Sequence, residues 1–182
     1  MTRRLIVSAV IVALLAAPAL AWNEPDSFEG VPWGASQAEA KRVAAGRSEP
    51  LRSCFEAAPY QICTAAGTIG SVGSRILFLF RDDKLVSGQW SFPSTSFDSV
   101  RSLFVERYGA PSTQKDEPLQ TVDALRATNP ILRWDGTSVV IELRAHAGGK
   151  FNEGLASIST KPEADRPEAE RARAIQKGRE SR

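Results

Sequence analysis

RILFLFRDDKLVSGQWSF, Arg75 to Phe92, is the stretch whose reading decides the fold. Ile76 to Phe80 is apolar at every position, which suits a central strand rather than an edge. Asp82-Asp83 turns the chain, since Asp tolerates left-handed backbone and bonds locally. Lys84 to Phe92 returns as a strand, with Val86, Trp90 and Phe92 on one face and Ser87, Gln89 and Ser91 on the other. Downstream, Phe97, Val100, Leu103, Phe104 and Tyr108 recur at three- and four-residue intervals, the mark of an amphipathic helix. Ser96 or Asp98 can cap it, and Gly109 and Pro111 stop it.

Trp22 to Pro32 reads as an extended lead-in. Ser36, with Glu39 three residues on, forms a capping box for a first helix over about Gln37–Ala45 that stops at Gly46. This helix is Ala-rich, and Val43 is its only large aliphatic residue. Gly67 to Gly73 reads as a mobile glycine-spaced loop. Beyond the second helix, Ile131–Trp134, Asp135-Gly136 and Thr137–Arg144 read as a hairpin, because Asp-Gly suits a two-residue type I′ turn. Ala145 to Gly154 reads as a loop and Leu155 to Thr160 as a last strand. The expected fold is α+β: an antiparallel sheet with two helices packed on one face. The order suggests two α-β-β-β units about 60 residues apart, without repetition of the letters.

Cys54 and Cys63 are the only cysteines. Leu51–Phe55 and Tyr60–Thr64 read as two short strands, and the cysteines lie equally far from the Ala58-Pro59 centre of the turn. A symmetric hairpin sets them directly opposite, within disulfide reach. Closing so short a loop is worth roughly 2.7 kcal/mol in the chain-entropy view. A redox-active pair would more usually have C-x-x-C spacing.

The N-terminus explains why that bond can form. Arg3-Arg4 precedes the apolar run Leu5–Ala17, Pro18 breaks it, and Ala19-Leu20-Ala21 places small residues at −3 and −1. This is the pattern of a secretory signal covering residues 1–21, with cleavage between Ala21 and Trp22. Thirteen helical residues span only about 20 Å, short of the ~30 Å hydrocarbon core, so a membrane anchor is disfavoured. The expected location is therefore periplasmic or secreted, an oxidising setting. With Arg3 and Arg4 removed, 21 basic residues balance 21 acidic ones. No bulk charge then favours nucleic acid, and no second run of 18 apolar residues favours stable membrane insertion.

The mature chain reads as a single domain, 22–161, followed by a charged tail, 162–182. The tail holds six basic and five acidic residues, with Ile175 its one large aliphatic. Such a segment is disordered or a marginal helix.

Catalytic parts are scarce. His146 is the only histidine, and no nucleophile setting such as G-x-S-x-G accompanies it. A zinc site would have to be built from carboxylates around one His. Asp82-Asp83 and Asp116-Glu117 read as turn residues. The expected set of catalytic, cofactor and metal residues is empty. The expected role is non-catalytic: a binding or interaction module of the bacterial cell envelope, with an envelope protein as partner. The alternative is a carboxylate-based hydrolase of envelope polymers, whose two acids would meet only in space. Trp90 and Trp134 read as core, and Trp33 as closing one end of it.

Phe28-Glu29-Gly30-Val31-Pro32-Trp33-Gly34-Ala35-Ser36, with Glu39, resembles the start of a group of small exported bacterial proteins to which no activity is attached. Tyr108-Gly109-Ala110-Pro111 resembles the recurring Y-G-x-P of that group. The helix-then-sheet order is also similar to the outer-membrane assembly lipoproteins and the tandem-repeat β-lactamase inhibitor proteins, in architecture only. The chain lacks the lipidation Cys of the former.

Protein purified from an exporting host without reductant should begin at Trp22 and carry no alkylatable thiol. Intact mass before and after iodoacetamide treatment reads both, and two reactive thiols would contradict the pairing.

Overall fold

Two runs of four strands, each led by a helix, make up most of the chain. The structure, a computed structural model, describes residues 22–46, 50–119, 127–148 and 150–166. A small hairpin of β1 (Ser27–Phe28) and β2 (Val31–Pro32) comes first. Then follow α1 (Gln37–Ala45), β3 (Ser53–Ala57), β4 (Tyr60–Ile69), β5 (Val72–Arg81) and β6 (Lys84–Pro93). A 3-10 turn, Ser94–Ser96, leads into α2 (Phe97–Tyr108). The second run is β7 (Thr113–Leu119), β8 (Ala127–Asp135), β9 (Val139–Arg144) and β10 (Glu153–Thr160), with a short α3 (Lys161–Ala164) after it.

The eight strands β3 to β10 form one sheet in the order β3-β4-β5-β6-β10-β9-β8-β7. Every neighbouring pair is antiparallel. Each unit is thus a helix followed by a four-strand meander, and the two meet through their last strands, β6 and β10. The sequence reading expected three strands per unit. The further strand of the second unit is β7, whose residues are mostly exposed, with Lys115, Asp116 and Glu117 charged, and so carry no alternating apolar signal. Asp116 and Glu117 lie inside that strand, not at a turn. The supposed loop Gly67–Gly73 is largely strand, since β4 runs to Ile69 and β5 starts at Val72, leaving Gly70 at φ 56° in the turn.

Alternation sorts the sheet into two faces. Ile76, Phe78 and Phe80 of β5, Trp90 and Phe92 of β6, Trp134 of β8 and Ile141 of β9 share one apolar cluster. Phe97, Val100, Phe104 and Tyr108 of α2, Ala40 of α1, and Phe28 belong to the same cluster. Phe104 is only 4% exposed and meets the rings of Trp90 and Trp134, with centroids 6.2 and 6.0 Å away. A bulge between Leu79 and Phe80 shifts the register against β6. Leu85 therefore takes the cluster position expected for Val86, which packs on the opposite face.

The seam between β6 and β10 pairs large residues with small ones. Trp90 lies opposite Ala156, Phe92 opposite Gly154 and Ile158 opposite Gly88. Phe28 sits so close over Gly88 that a Cβ there would collide with the ring. Phe28 gets there because Glu29 and Gly30 form a tight turn at φ 52° and 76°, while Trp90 Nε1 donates to Glu29 Oε1 at 2.8 Å. Letters that mark the resemblance at Phe28–Gly34 are thus turn and packing letters.

Caps behave unequally. Ser36 Oγ accepts from Glu39 N at 3.2 Å as expected, whereas neither Ser96 nor Asp98 caps α2, which continues from the 3-10 turn instead. Gly109 ends α2 at φ 77° and its carbonyl accepts from Trp134 Nε1 at 2.9 Å.

A long-range strap sets the β8–β9 connection. The Glu24 carboxylate accepts from Thr137 N, Thr137 Oγ1, Ser138 N and Val139 N at 2.6–3.1 Å. The hairpin turns about Thr137-Ser138, with Trp134 opposite Ile141 and Gly136 N donating to Val139 O at 2.9 Å, instead of about Asp135-Gly136 as expected. Burial pushes the Glu24 carboxyl up, but the hydrogen bonds from Thr137, Ser138 and Val139 outweigh it and hold it below the usual carboxylate range.

Two outcomes are expected. Phe104→Ala should cost about 3–5 kcal/mol, and Val43→Ala about 1 kcal/mol or less, because Val43 is 37% exposed; paired melting curves compare them. Glu24→Gln should lower stability by about 1 kcal/mol near neutral pH. A carboxyl whose pKa is depressed by folding stabilises above its unfolded pKa and loses that contribution as pH falls through the folded one. The gap between wild type and Glu24→Gln should therefore close on acidification below about pH 4. Denaturant midpoints at pH 7 and pH 3 check it.

Candidate functional site

On the face opposite the tryptophans, the two units differ. The first unit's part is apolar. Ala57, Tyr60, Ile62 and Leu79 form a second buried cluster, with Phe55, Leu77 and Val86 packed against it. The second unit's part is ionic. Asp135, Arg133, Glu142, Arg144, Glu117 and Lys115 alternate in charge across β8, β9 and β7, joined by contacts of 2.5–3.8 Å. A hydroxyl-rich stripe lies between them, where Ser87 and Ser159 bond across the seam at 2.9 Å, both buried.

The apolar part opens into a groove of about 520 Å³. Its floor is Phe55, Ile62, Leu77, Leu79 and Leu155, with Thr64, Gln89 and Ser91 as sparse polar positions. That volume and mixture are typical of binding sites. The loop between β9 and β10 makes one wall through Ala147, Gly148 and Lys150. This wall is held from several directions. Asn129, itself buried, donates to His146 O at 2.8 Å and accepts from His146 N at 2.9 Å. Ala147 N bonds Glu153 O at 2.8 Å, and His146 Nδ1 lies 3.0 Å from Phe151 O. His146 is thus a loop-closing residue, and Phe151 beside it is 45% exposed.

Two charge groups flank the apolar patch. At the groove mouth, Glu153 is held between Arg75 at 3.2 Å and Lys150 at 2.9 Å. The hydrogen bond from Lys150, helped by Ser91 and the Arg75 charge, keeps the Glu153 carboxyl below the usual range despite burial. At the Tyr60 end, α3 plants Glu163, only 3% exposed, against the sheet. Glu163 hydrogen-bonds Tyr60 Oη and lies 3.3 Å from Arg81 and 3.2 Å from Arg166. Arg81 also donates to Tyr60 Oη at 2.7 Å and stacks over its ring. Burial, with Glu163 beside it, pushes the Tyr60 phenol up. The segment from 162 was expected to lie outside the domain; its first residues instead close one end of this face.

Cys54 and Cys63 are bonded, at opposed positions of β3 and β4 with Cα atoms 4.0 Å apart. They sit on the cluster face, where Gln37 Nε2 approaches Cys63 Sγ at 3.2 Å. They are not part of the groove. Trp22 is the first described residue and packs edge-on against Tyr108 at 6.0 Å. Ala21 and the rest of the signal lie outside the described residues, as does the tail from 167. Asp82 and Asp83 form the expected turn, at φ 50° and 56°. Trp134 and Trp90 are buried, and Trp33 donates to Pro25 O at 2.8 Å.

The groove itself was not foreseen. Its signal is present in Leu77 and Leu79, which alternate with Ile76, Phe78 and Phe80. A strand apolar on both faces suits the interior of a sheet, where β5 lies, yet Leu77 on one of those faces remains partly open. Among the described residues, no group of three or more His, Cys, Asp or Glu is placed to hold a metal, and no helix is long and apolar enough to cross a membrane. Comparison with protein families, curated proteins and solved structures finds no match.

Proposed function

We propose that this chain is a non-catalytic binding module of the bacterial cell envelope, exported to the periplasm or beyond. In this reading the two helices back one face of the sheet, and the other face receives an envelope protein. The observation that carries it is the apolar groove over Phe55, Ile62, Leu77, Leu79 and Leu155, on the face away from the main cluster. Apolar surface gathered on one sheet face and rimmed by polar groups marks interaction sites. The wall fixed by Asn129 adds preorganisation, which lowers the entropy cost of binding.

The lining does not favour the hydrolase alternative. Two-carboxylate hydrolysis needs facing acids, one of them with a raised pKa. The groove lining contains one carboxylate, Glu153, already engaged by two cations and held low.

A photocrosslinking residue at Gln89, on the groove floor, should give a discrete protein adduct in intact cells. The same residue at the exposed Arg101 on α2 should not. Adducts from Arg101 alone would reject the proposed face.

A further inference from the structure

We infer that the groove takes a segment of a partner protein presenting a large apolar side chain next to a carboxylate. This rests on the binding reading above and names the chemistry that the site selects.

The apolar half follows from the floor. Phe55, Ile62, Leu77, Leu79 and Leu155 offer an aliphatic and aromatic surface in a groove of about 520 Å³, enough for one or two large side chains but not a folded element. Filling it releases water from both partners, and the gain scales with the apolar area covered.

The carboxylate follows from the charge count. Arg75, Lys150 and Glu153 are the only ionisable side chains in the lining. Two cations face one ionised carboxylate, so the mouth carries a net charge of +1. Both cations keep more than half of their side-chain surface exposed, 60% for Arg75 and 55% for Lys150. They can turn toward an incoming anion without breaking a buried network. A carboxylate beside the anchored apolar side chain would complete a pair of acids against a pair of bases. Complementary charge at a rim steers encounter and selects partners more than it adds affinity.

The same count argues against the nearest alternative occupants. Residues 167–182 follow two positions after α3, but they carry five basic and three acidic residues and one large aliphatic, Ile175. Like charge would keep them from the mouth. A second copy of the chain would offer, beside its own groove, an ionic part with three cations and three anions. That surface supplies no surplus carboxylate.

The test is selection of a random dodecapeptide phage library on the purified exported protein. Fluorescein-labelled synthetic copies of the winners are then titrated by anisotropy. Winners should pair Asp or Glu with Leu, Ile, Phe or Trp. Leu77→Gln and the double reversal Arg75→Glu/Lys150→Glu should each weaken binding by about tenfold or more. Both variants should keep near-native circular dichroism, since Leu77 is partly open and the two cations are exposed. Affinity should also fall as sodium chloride rises. Apolar winners without acids, sensitive to Leu77→Gln but not to the reversal, would overturn the carboxylate inference and leave the groove reading standing. Winners insensitive to Leu77→Gln, or no winners, would overturn both. Dodecanoate binding in place of any peptide would assign the groove to small amphiphiles and overturn the inference.

Discussion

The seam between β6 and β10 has to be flat on the cluster side, and most of the structure answers to that constraint. Aromatic rings cannot lie across a strand pair if side chains of equal bulk stand opposite one another. Here each large residue faces a small one: Trp90 and Ala156, Phe92 and Gly154, Ile158 and Gly88. The vacancy over Gly88 receives Phe28, whose ring centroid lies 4.4 Å from that of Trp90 and 5.1 Å from that of Phe78. Phe104 of α2 reaches Trp90 from one unit and Trp134 from the other. One aromatic group therefore spans both units, and interiors packed at crystal-like density respond even to a single methylene. Any side chain at Gly88 would displace Phe28, and with it the β1–β2 turn and the Glu29–Trp90 bond.

What the amino-acid sequence makes legible here is local. The Cys54–Cys63 register, the Asp82-Asp83 turn, the Ser36 cap and the apolar spacing of α2 all involve residues a few positions apart. Readings fail where distant residues decide. The β8–β9 turn falls not at Asp135-Gly136 but at Thr137-Ser138, where Glu24, over a hundred residues earlier, supplies the acceptors that its amides need. The start of the C-terminal segment joins the fold because Glu163 finds Tyr60 and Arg81, which only the folded sheet brings together. β7 goes unnoticed because an edge strand with both faces wet has no reason to alternate. The groove draws its lining from β3, β4, β5, β6, β10 and one loop, so no window of sequence contains it.

The two units share a plan but not a surface. Each has a helix and four antiparallel strands, and each contributes apolar residues to the common cluster. On the opposite face they diverge. The first unit presents Phe55, Ile62, Leu77 and Leu79, while the second presents a ladder of ion pairs at the matching distance from the seam. Exposed or half-exposed pairs of this kind add little stability, typically below about 1 kcal/mol each. Their effect is to keep that half of the face hydrated, which confines the apolar surface to one side of the seam.

Strand order also bears on how the chain reaches this state. Within each unit neighbouring strands are joined by short connections, so a meander forms from near contacts. The β6–β10 pairing joins residues 60 to 72 positions apart, and such closure carries the larger entropic toll. Until β10 arrives, β6 has an unsatisfied edge in what becomes the middle of the sheet. An open edge accepts any strand of suitable pattern, including β10 of another molecule. The pairing that unites the two halves is thus also the point at which two chains can exchange strands, and the folding reaction is most exposed to concentration there.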